Sequence, residues 1–329
     1  MLLSGLGCYF YVQQIVSTGF DIDETVYIEV DGQKDYNHVI SQITKKAQVK
    51  DISSFEQVAS FLKYPSNVKS GRYAISPDMN ILQVVKLLKS GSQTPVKLKF
   101  NNIRTKEELA DRISSQLMLS KEELWEALND ENICREFGFS TETIICMFIP
   151  NTYDFYWNVS LEKFLQRMNT EYKAFWNPSR IEKAKAISLL PQEASILASI
   201  VEEECFFTDE YPIVAGLYIN RLNRNQMLQA DPTVKFAVND FTLRRVLNKH
   251  LEIDSPYNTY KYQGLPPGPI RIPSIKGIDG VLNYTSHKYY YMCAKEDFSG
   301  RHNFATTHAE HQRNAAKYQA ELNKRKIYQ

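Results

Sequence analysis

The stretch Ala194-Ser-Ile-Leu-Ala-Ser-Ile-Val-Glu-Glu-Glu204 joins eight uncharged residues, mostly small or apolar, to three consecutive carboxylates. Pro191 lies just before it, where the first turn of a helix tolerates a residue without an N–H group. In a helix, residues three and four positions apart are neighbours, so one face would carry Ser195, Ala198, Ser199 and Glu202. The stretch therefore predicts a helix whose small-residue face is either a tight packing surface or the floor of a groove.

The carboxylates at the end of this predicted helix are candidates for acid catalysis. Neighbouring like charges and the negative end of the helix dipole both disfavour ionisation, so a carboxyl here is expected to have a raised pKa. A carboxyl that stays protonated near neutral pH is what a general acid requires. Glu202 is the candidate because it directly follows the apolar face, although a run of charges is more often a solvated helix end. Glu204 cannot share that face, so this helix alone does not supply the carboxylate pair of a conventional glycosidase.

Length and composition indicate an ordinary folded protein. The chain has 329 residues, which suggests two domains, with 43% hydrophobic and 23% charged residues. Its net charge of +1 and the lack of a basic face or tail give no reason to expect a nucleic-acid partner. The 20 Tyr and 17 Phe residues serve the core, but some could form platforms on which sugar rings or bases stack.

Cysteine spacing and the common nucleotide and hydrolase motifs exclude several classes. The five cysteines, at positions 8, 134, 146, 205 and 293, form no C-x-x-C or Cys/His cluster with metal-ligand spacing. No Walker loop, dinucleotide fingerprint or G-x-S-x-G motif occurs, so a nucleotide enzyme or a serine hydrolase is poorly supported. The sequence therefore predicts neither a metal nor a cofactor.

The first 20 residues contain no charged side chain and are fairly apolar. The segment is slightly short and polar for a membrane span, and it lacks the usual basic flank. It is either an N-terminal membrane anchor, in part or whole, or a buried helix. We favour the anchor because a new pattern, typical of a separate domain, begins directly after it.

Residues 21–100 alternate strand and helix patterns and predict a small α+β unit without a catalytic cluster. Strands are predicted at Thr25–Val30, Arg72–Ser76 and Pro95–Phe100, and helices at Asp35–Gln48, from a capping box at Ser53-Ser-Phe-Glu56, and at Ile81–Lys89. Residues 101–329 form a second domain that is richer in helices, among them Leu161–Trp176, Tyr211–Asn223 and Thr307–Lys326, with a short strand at Tyr289–Cys293. The predicted class is α+β.

Polar and aromatic motifs follow the glutamates in a region dense in Pro and Gly. The segment 228–234 is predicted to form a turn that carries Gln229, Asp231 and Thr233, of which an Asx turn is the default explanation. Tyr257-Asn-Thr-Tyr260 precedes a rigid Gly264-Leu-Pro-Pro-Gly268 turn, a combination that suits a polyhydroxylated substrate but also an ordinary packed loop. His302-Asn-Phe304 and Glu310-His311 could equally serve capping or structural hydrogen bonds.

Six motifs in the same order resemble those of the YceG-like family of endolytic murein transglycosylases. They are Leu197-Ala-Ser-Ile-Val-Glu-Glu-Glu204, Val214-Ala-Gly-Leu-Tyr-Ile-Asn-Arg-Leu222, Leu228-Gln-Ala-Asp-Pro-Thr-Val234, Tyr257-Asn-Thr-Tyr260, Gly264-Leu-Pro-Pro-Gly-Pro-Ile270 and His302-Asn-Phe304. The resemblance covers roughly residues 100–329. In residues 21–100 the resemblance is one of topology, to the family's LysM-like subdomain. For residues 101–329 the resemblance implies a helix-rich α+β catalytic domain with a short β-sheet.

The resemblance implies an enzyme that cleaves the β-1,4 bond between N-acetylmuramic acid and N-acetylglucosamine within nascent glycan strands. It would leave 1,6-anhydro ends and so terminate elongation, without a metal or cofactor. The family's catalytic glutamate is assigned to Glu202, and one carboxyl suffices because the muramoyl 6-hydroxyl is the nucleophile. Candidate substrate-binding residues are Glu204, Ser199, Asn220, Gln229, Asp231, Thr233, Tyr257, Asn258, Tyr260 and His302.

The resemblance also implies a location and partners. The protein would be a single-pass protein of the cytoplasmic (inner) membrane, anchored through its N-terminal segment with the catalytic domain on the extracytoplasmic side. Peptidoglycan glycan strands would be its substrate, and peptidoglycan synthases are candidate partners. The missing basic flank departs from the pattern of a single-pass anchor. Two rivals remain, a hydrolase of the same glycan and a non-catalytic peptidoglycan-binding scaffold of the synthesis machinery.

Overall fold

The computed structural model describes residues 19–243 and 246–325 and has the predicted mixed α+β architecture. Its strands are β1 (Val26–Val30), β2 (Gly71–Ile75), β3 (Val96–Lys99), β4 (Thr152–Phe155), β5 (Tyr291–Ala294) and β6 (His302–Ala305). In the described ranges these strands form three two-stranded antiparallel sheets, β1–β2, β3–β4 and β5–β6.

The helices contribute most of the regular structure. In chain order they are α1 (Tyr36–Lys45), α2 (Ile52–Phe61), α3 (Ile81–Ser90), α4 (Lys106–Ser114), α5 (Lys121–Asn129), α6 (Glu131–Glu136), α7 (Leu161–Phe175), α8 (Pro178–Ala186), α9 (Pro191–Glu204), α10 (Tyr211–Leu222), α11 (Asp231–Val238), α12 (Asn248–Leu251), α13 (Ile275–Leu282) and α14 (His308–Lys324), with 3-10 turns at Ile144–Met147 and Thr208–Glu210. Helix α9 begins and ends where the sequence predicts.

The chain divides into two compact units. The first contains residues 19–99, 112–120 and 152–161, and the second contains residues 100–111, 121–151 and 162–325 with the gap noted above. The predicted boundary at residue 100 stays a prediction. Of the predicted anchor at residues 1–20, only Gly19 and Phe20 are described; Phe20 is buried and bridges to Val49.

Among the described residues, no helix combines the length and apolar character needed to cross a membrane.

The first unit encloses its own hydrophobic core. Alternate residues of β1 and β2 point inward, as period-two patterning requires, and α1–α3 supply buried side chains to the same cluster. Asp51 caps α2 by accepting a hydrogen bond from the Ser53 N–H, so the capping box predicted at Ser53 is wrong by two residues. An Asp two residues earlier satisfies the same free N–H groups and starts the helix sooner.

Helix α9 lies at the centre of the second unit. It packs against α10, α11 and α13, and every residue from Ala194 to Glu202 is buried. The hydroxyls of Ser195 and Ser199 donate to the backbone carbonyls of Pro191 and Ile196, so these polar groups fit a dry interface. The small-residue face is therefore a packing surface, the first of the two alternatives left open by the sequence.

Two elements around α9 were not predicted. Of the segment predicted to be a turn at 228–234, residues 231–234 instead form the start of α11, because Pro232 occupies the first helical turn, where its missing N–H costs nothing. Helix α13 follows the Pro-rich loop directly, and its N-cap Ser274 accepts a hydrogen bond from the Gly277 N–H.

Candidate active site

The three glutamates that end α9 have different surroundings. Successive helical residues point about 100° apart, so Glu202, Glu203 and Glu204 cannot face the same neighbours. Glu202 meets the first turn of α13, Glu203 meets two arginines, and Glu204 faces a cavity. The local geometry of the helix end thus places three identical side chains in three different environments.

The Glu202 carboxylate is enclosed by hydrogen-bond donors at the N-terminus of α13. Its two oxygens accept from the Ser274 N–H at 3.0 and 3.1 Å, and the Ser274 hydroxyl donates to the same group. Arg271 Nε lies 3.6 Å from Glu202 Oε2, and the glutamate is only 8% exposed. Gly277 is needed here because a Cβ at that position would overlap the carboxylate. These contacts join α9 to α13.

Glu203 is the centre of a charge cluster on the other side of the helix end. Arg104 Nη2 donates to both of its oxygens, at 3.0 and 2.9 Å, and Arg271 Nη1 donates to Oε1 at 2.7 Å. Arg271 also donates to Asn102 Oδ1 at 2.7 Å. Two guanidinium groups on one partly buried carboxylate hold the segment 102–104 and the loop around 271 against α9.

Glu204 lies in a cavity and has a perturbed pKa. Its side chain keeps partial access to this cavity, and Tyr218 Oη donates to Glu204 Oε1 at 3.0 Å. Burial raises the pKa of the Glu204 carboxyl from 4.5 to about 7, and the nearby Asp231 carboxylate adds to the rise while the Tyr218 hydrogen bond opposes it. The raised pKa expected at this helix end is therefore found at Glu204.

The cavity beside Glu204 has a volume of about 370 Å³ and is built from four parts of the second unit. Helices α9 and α10, the segment before and into α11, the loop at Tyr260, and the β5–β6 hairpin with the start of α14 all contribute. Its lining side chains are Glu204, Leu217, Tyr218, Arg221, Leu228, Gln229, Asp231, Tyr260, Tyr291, Met292, Cys293, Ala294, His302, His308 and His311. We call it the Glu204 cavity.

A buried arginine fixes one wall of the Glu204 cavity. Arg221 Nη1 donates to the carbonyls of Met227 and Leu228, at 3.0 and 2.9 Å, and to Gln229 Oε1 at 3.3 Å. Arg221 Nε donates to the Tyr290 carbonyl at 2.7 Å. One side chain therefore ties the segment before α11, which lines the cavity, to the residue that precedes β5, and β5 lines the cavity as well.

Asp231 and Tyr260 form the next part of the wall. Tyr260 Oη donates to Asp231 Oδ1 at 2.6 Å, and burial together with this carboxylate raises the Tyr260 pKa. The phenol therefore stays protonated and keeps donating to Asp231 at all ordinary pH values. The Gln229 backbone nearby has φ 51°, in the left-handed region, and its N–H donates to the Thr259 carbonyl at 3.1 Å.

Three histidines close the remaining side of the Glu204 cavity. His302 Nδ1 lies 3.2 Å from Glu210 Oε2, and the His302 N–H donates to Glu210 Oε1. The His311 ring stacks on Tyr291 with 5.5 Å between centroids. Burial, and then the charges of His308 and Arg221, lower the His311 pKa, so this imidazole is neutral at pH 7.

The structure brings together five of the residues that the sequence predicts to be functional and separates the rest. Glu204, Gln229, Asp231, Tyr260 and His302 line one cavity. Ser199 and Thr233 are fully buried and bonded to backbone or to a buried threonine, and Asn258 uses its amide to hold the Leu251 and Ile253 carbonyls. Asn220 holds the carbonyls of His287 and Tyr289. Tyr257 lines a different cavity.

Four cavity residues were missed that helical spacing could have suggested. Tyr218 and Arg221 are three residues apart on α10, and His308 and His311 are three apart on α14, so each pair shares a face. The sequence does not indicate that these two faces meet the end of α9. Within the ranges the structure describes, no cluster of three or more His, Cys, Asp or Glu side chains has the arrangement of a metal site.

Comparison with known proteins gives matches along almost the whole chain. The sequence matches the YceG-like family over residues 28–317. It is 27% identical to the endolytic murein transglycosylase of Bacillus subtilis (strain 168), over 93% of this chain and 88% of that protein. It is 24% identical to the endolytic murein transglycosylase of Streptococcus pneumoniae serotype 2 (strain D39), over 97% of this chain and 63% of that protein.

A solved structure is similar as well. The crystal structure of a YceG-like protein from Listeria monocytogenes superposes with a TM-score of 0.58 at 26% identity, and the match covers 88% of this chain and 99% of that one. The family match and the solved structure therefore both point to YceG-like proteins.

Proposed function

This chain belongs to the YceG-like family, and on that premise we propose that it is an endolytic lytic transglycosylase of peptidoglycan. Its relatives in Bacillus subtilis and Streptococcus pneumoniae carry the name endolytic murein transglycosylase. The substrate is the MurNAc-β-1,4-GlcNAc bond of nascent glycan strands, and the product is a 1,6-anhydro-MurNAc end that stops elongation.

One observation carries the proposal: a carboxyl whose pKa is raised to about 7 lies in a polar cavity with four of the predicted substrate-binding residues, Gln229, Asp231, Tyr260 and His302. At neutral pH a large fraction of Glu204 is protonated and can donate, and the same group is basic enough afterwards to accept a proton. Of the three glutamates that end α9, only Glu204 lines this cavity. Hydrogen-bond donors enclose Glu202, and two arginines pair with Glu203.

The proposed reaction uses one carboxyl twice. Glu204 gives its proton to the bridging oxygen as the bond from that oxygen to C1 of N-acetylmuramic acid breaks. The muramoyl 6-hydroxyl then attacks C1, and its proton returns to the Glu204 carboxylate. One C–O bond breaks and one forms, no water is consumed, and the enzyme ends in its starting protonation state.

Neighbouring groups suit this cycle. Tyr218 donates to Oε1 of Glu204, which leaves Oε2 for the substrate. The Asp231 carboxylate raises the Glu204 pKa and would stabilise positive charge that develops on the sugar ring in the transition state. Tyr260 holds Asp231 in place, so its charge has a fixed position.

The assignment of catalysis to Glu202, made from the sequence, stays a prediction, and the surroundings of the two carboxyls favour Glu204. Glu202 already accepts three hydrogen bonds from Ser274 and has Arg271 beside it. A proton donor must release these partners before it could reach a glycan. We therefore give Glu202 the role of joining α9 to α13.

The proposed location and partners rest on the sequence and on the substrate. The uncharged segment that precedes Gly19 and Phe20 would form a single-pass anchor in the cytoplasmic membrane, with both units on the extracytoplasmic side where peptidoglycan lies. Phe20 itself belongs to the core of the first unit. The β1-α1-α2-β2 order of the first unit, with its antiparallel strand pair, supports a LysM-like module that holds glycan. Peptidoglycan synthases are the proposed protein partners.

The test compares two glutamine variants, each of which removes a carboxyl and keeps its shape. Purified peptidoglycan strands are digested with the wild type, Glu204→Gln and Glu202→Gln, and the products are identified by mass spectrometry. We expect Glu204→Gln to lower the cleavage rate by at least about 100-fold, as for loss of a general acid. Glu202→Gln should lower it less and should also reduce the folding stability.

Each other outcome has a distinct meaning. Cleavage products that are heavier by one water molecule would show that the reaction is hydrolysis and not anhydro formation. Full activity in Glu204→Gln together with loss in a stably folded Glu202→Gln would return the role to Glu202. If the wild type binds glycan but does not cleave it, the protein is a non-catalytic peptidoglycan-binding scaffold.

A further inference from the structure

A second cavity, of about 320 Å³, lies in the second unit away from Glu204. Helix α5 contributes Trp125, α11 ends beside it with Phe236 and Asn239, and the loop before Tyr260 contributes Tyr257. This volume is at the lower end for small-ligand sites and suits a single ring rather than an extended ligand. We call it the Trp125 cavity.

Aromatic rings form the apolar part of the Trp125 cavity. Trp125 is 43% exposed, although side chains of this size are usually buried, and it is held at the cavity rim by α5. Tyr257 and Phe236 pack together at 4.7 Å between ring centroids. One face of a pyranose ring carries only C–H groups, and a flat indole is the protein surface that covers such a face best.

Unused polar groups accompany these rings. Across residues 19–243 and 246–325, the indole N–H of Trp125, the Tyr257 hydroxyl and the Asn239 side-chain amide have no hydrogen-bond partner within the protein. Together they offer donors and an acceptor around an aromatic surface. A sugar ring, with hydroxyls at its edge and an apolar face, has the matching distribution.

The charges around the Trp125 cavity are already balanced. Arg104 is engaged by Glu203, and the Lys106 ammonium donates to the Leu128 and Thr141 carbonyls at 3.2 and 3.1 Å. Glu107 pairs with Lys121, and the Glu142 carboxylate accepts from the Thr141 hydroxyl. A site with two engaged cations and two engaged anions does not call for a charged ligand, so a neutral ring is favoured over an acidic one.

We propose that the Trp125 cavity binds a neutral pyranose, an N-acetylglucosamine residue of a glycan strand, at a site separate from the Glu204 cavity. This inference rests on the proposed function for the identity of the polymer. Arg104, on its wall, pairs with Glu203 next to Glu204, so the two cavities share the end of α9. The Trp125 cavity adds affinity for strands long enough to reach it, without taking part in bond cleavage.

The test reads Trp125 directly. The chain has three tryptophans, so the full-length Glu204→Gln protein labelled with 5-fluorotryptophan gives few fluorine NMR signals, and the signal missing from Trp125→Phe belongs to Trp125. Oligomers of N-acetylglucosamine are the probe. We expect them to shift the Trp125 signal and leave those of Trp157 and Trp176 unchanged. An unmoved Trp125 signal at saturating oligomer would overturn the proposal.

Kinetics provide a second readout, with a matched pair of variants. Trp125→Leu keeps an apolar side chain without a flat ring, whereas Trp125→Phe keeps a ring. On long glycan strands we expect Trp125→Leu to raise KM by roughly ten-fold with kcat unchanged, and Trp125→Phe to raise it by no more than about three-fold. The shortest cleavable oligomers should show no difference.

The two proposals fail in different ways. If Leu and Phe give the same KM while the wild type cleaves, the Trp125 cavity is not a sugar site and the proposed function stands. If the Trp125 signal shifts while no preparation cleaves glycan, the sugar site stands and the proposed activity fails.

Discussion

Glu202 and Glu204 are separated by one residue, yet the structure gives them opposite surroundings. Glu202 meets the Ser274 N–H and hydroxyl and the Arg271 guanidinium, and these contacts hold its side chain against α13. Glu204 meets a phenol, a second carboxylate and an enclosed space, which favour a carboxyl that keeps its proton. The surroundings of each carboxyl at this helix end are therefore set by the direction in which its side chain points from the helix axis.

The raised pKa of Glu204 predicts how stability depends on pH. Between pH 4.5 and about 7 the folded protein keeps a proton that the unfolded chain has released, so folding binds a proton in this window. Relative to Glu204→Gln, the free energy of unfolding of the wild type should fall as pH rises through this window, by on the order of 3 kcal/mol. Urea unfolding of both proteins at several pH values measures it.

The same ionisation should appear in catalysis. The cleavage rate should decline as pH rises through about 7, because the proton needed for the leaving group is lost. A pH-independent difference in stability between wild type and Glu204→Gln would contradict the raised pKa, whatever the rate does.

At the scale of elements, α9 and α13 meet through a carboxylate and a glycine. Gly277 lies in the first turn of α13 and leaves the space that the Glu202 carboxylate occupies. An alanine there would gain helix propensity, yet its Cβ would overlap a group held by several donors. The contact between α9 and α13 therefore depends on the absence of a side chain at Gly277 as much as on the Glu202 carboxylate.

We expect Gly277→Ala to lower the free energy of unfolding by on the order of 2 kcal/mol, as overpacking does in a close contact. Gly32→Ala is the matched control, because a Cβ at Gly32 has no atom within 4 Å and the change should stay within about 0.5 kcal/mol. Chemical denaturation of both variants checks it. Equal effects at the two glycines would show that the Glu202 carboxylate can move aside.

Elements with strong local signals could be predicted from the sequence. Pro191, the apolar run and the closing glutamates defined α9 from its first to its last residue. Helix α13 was missed because only Ser274 and a short Ile-Lys-Gly-Ile stretch follow a Pro-rich loop, so its formation depends on packing against α9. Asp231-Pro232 predicts a turn as readily as a helix start, and tertiary packing decided for the helix.

The candidate site could be predicted only in part for the same reason. Gln229, Asp231, Tyr260 and His302, which line the Glu204 cavity, could be named as candidates because they lie in polar motifs of loops and edges. Which glutamate they surround depends on where α13 and α10 pack, and neither position follows from residue spacing. Ser199, Thr233 and Asn258 were included with them because a buried hydrogen bond and a binding site use the same residue types.

At the scale of the whole molecule, two units each have their own buried residues. The core of the first unit consists of aromatic and aliphatic residues, and the fully buried Phe55 is one of them. The second unit contains the Glu204 cavity and the Trp125 cavity. Damage to one core should therefore be felt first within its own unit.

Phe55→Ala tests this independence. Removal of a fully buried phenylalanine costs about 3–5 kcal/mol, so amides of β1 and β2 should lose hydrogen-exchange protection. Amides of α9 should keep theirs, and the rate of cleavage of short glycans should stay the same. Hydrogen exchange followed by mass spectrometry resolves the two sets, and parallel loss in both would mean that the chain unfolds as one cooperative body.

The left-handed backbone at Gln229 has a consequence for how this protein can change. A side chain in that conformation costs about 1–2 kcal/mol that glycine would avoid, so drift toward greater stability favours glycine at this position. Keeping the Gln229 side-chain amide lowers the folding stability but places a polar group on the wall of the Glu204 cavity. Selection for thermal stability alone would therefore favour glycine at position 229, whereas the proposed activity would favour keeping the glutamine.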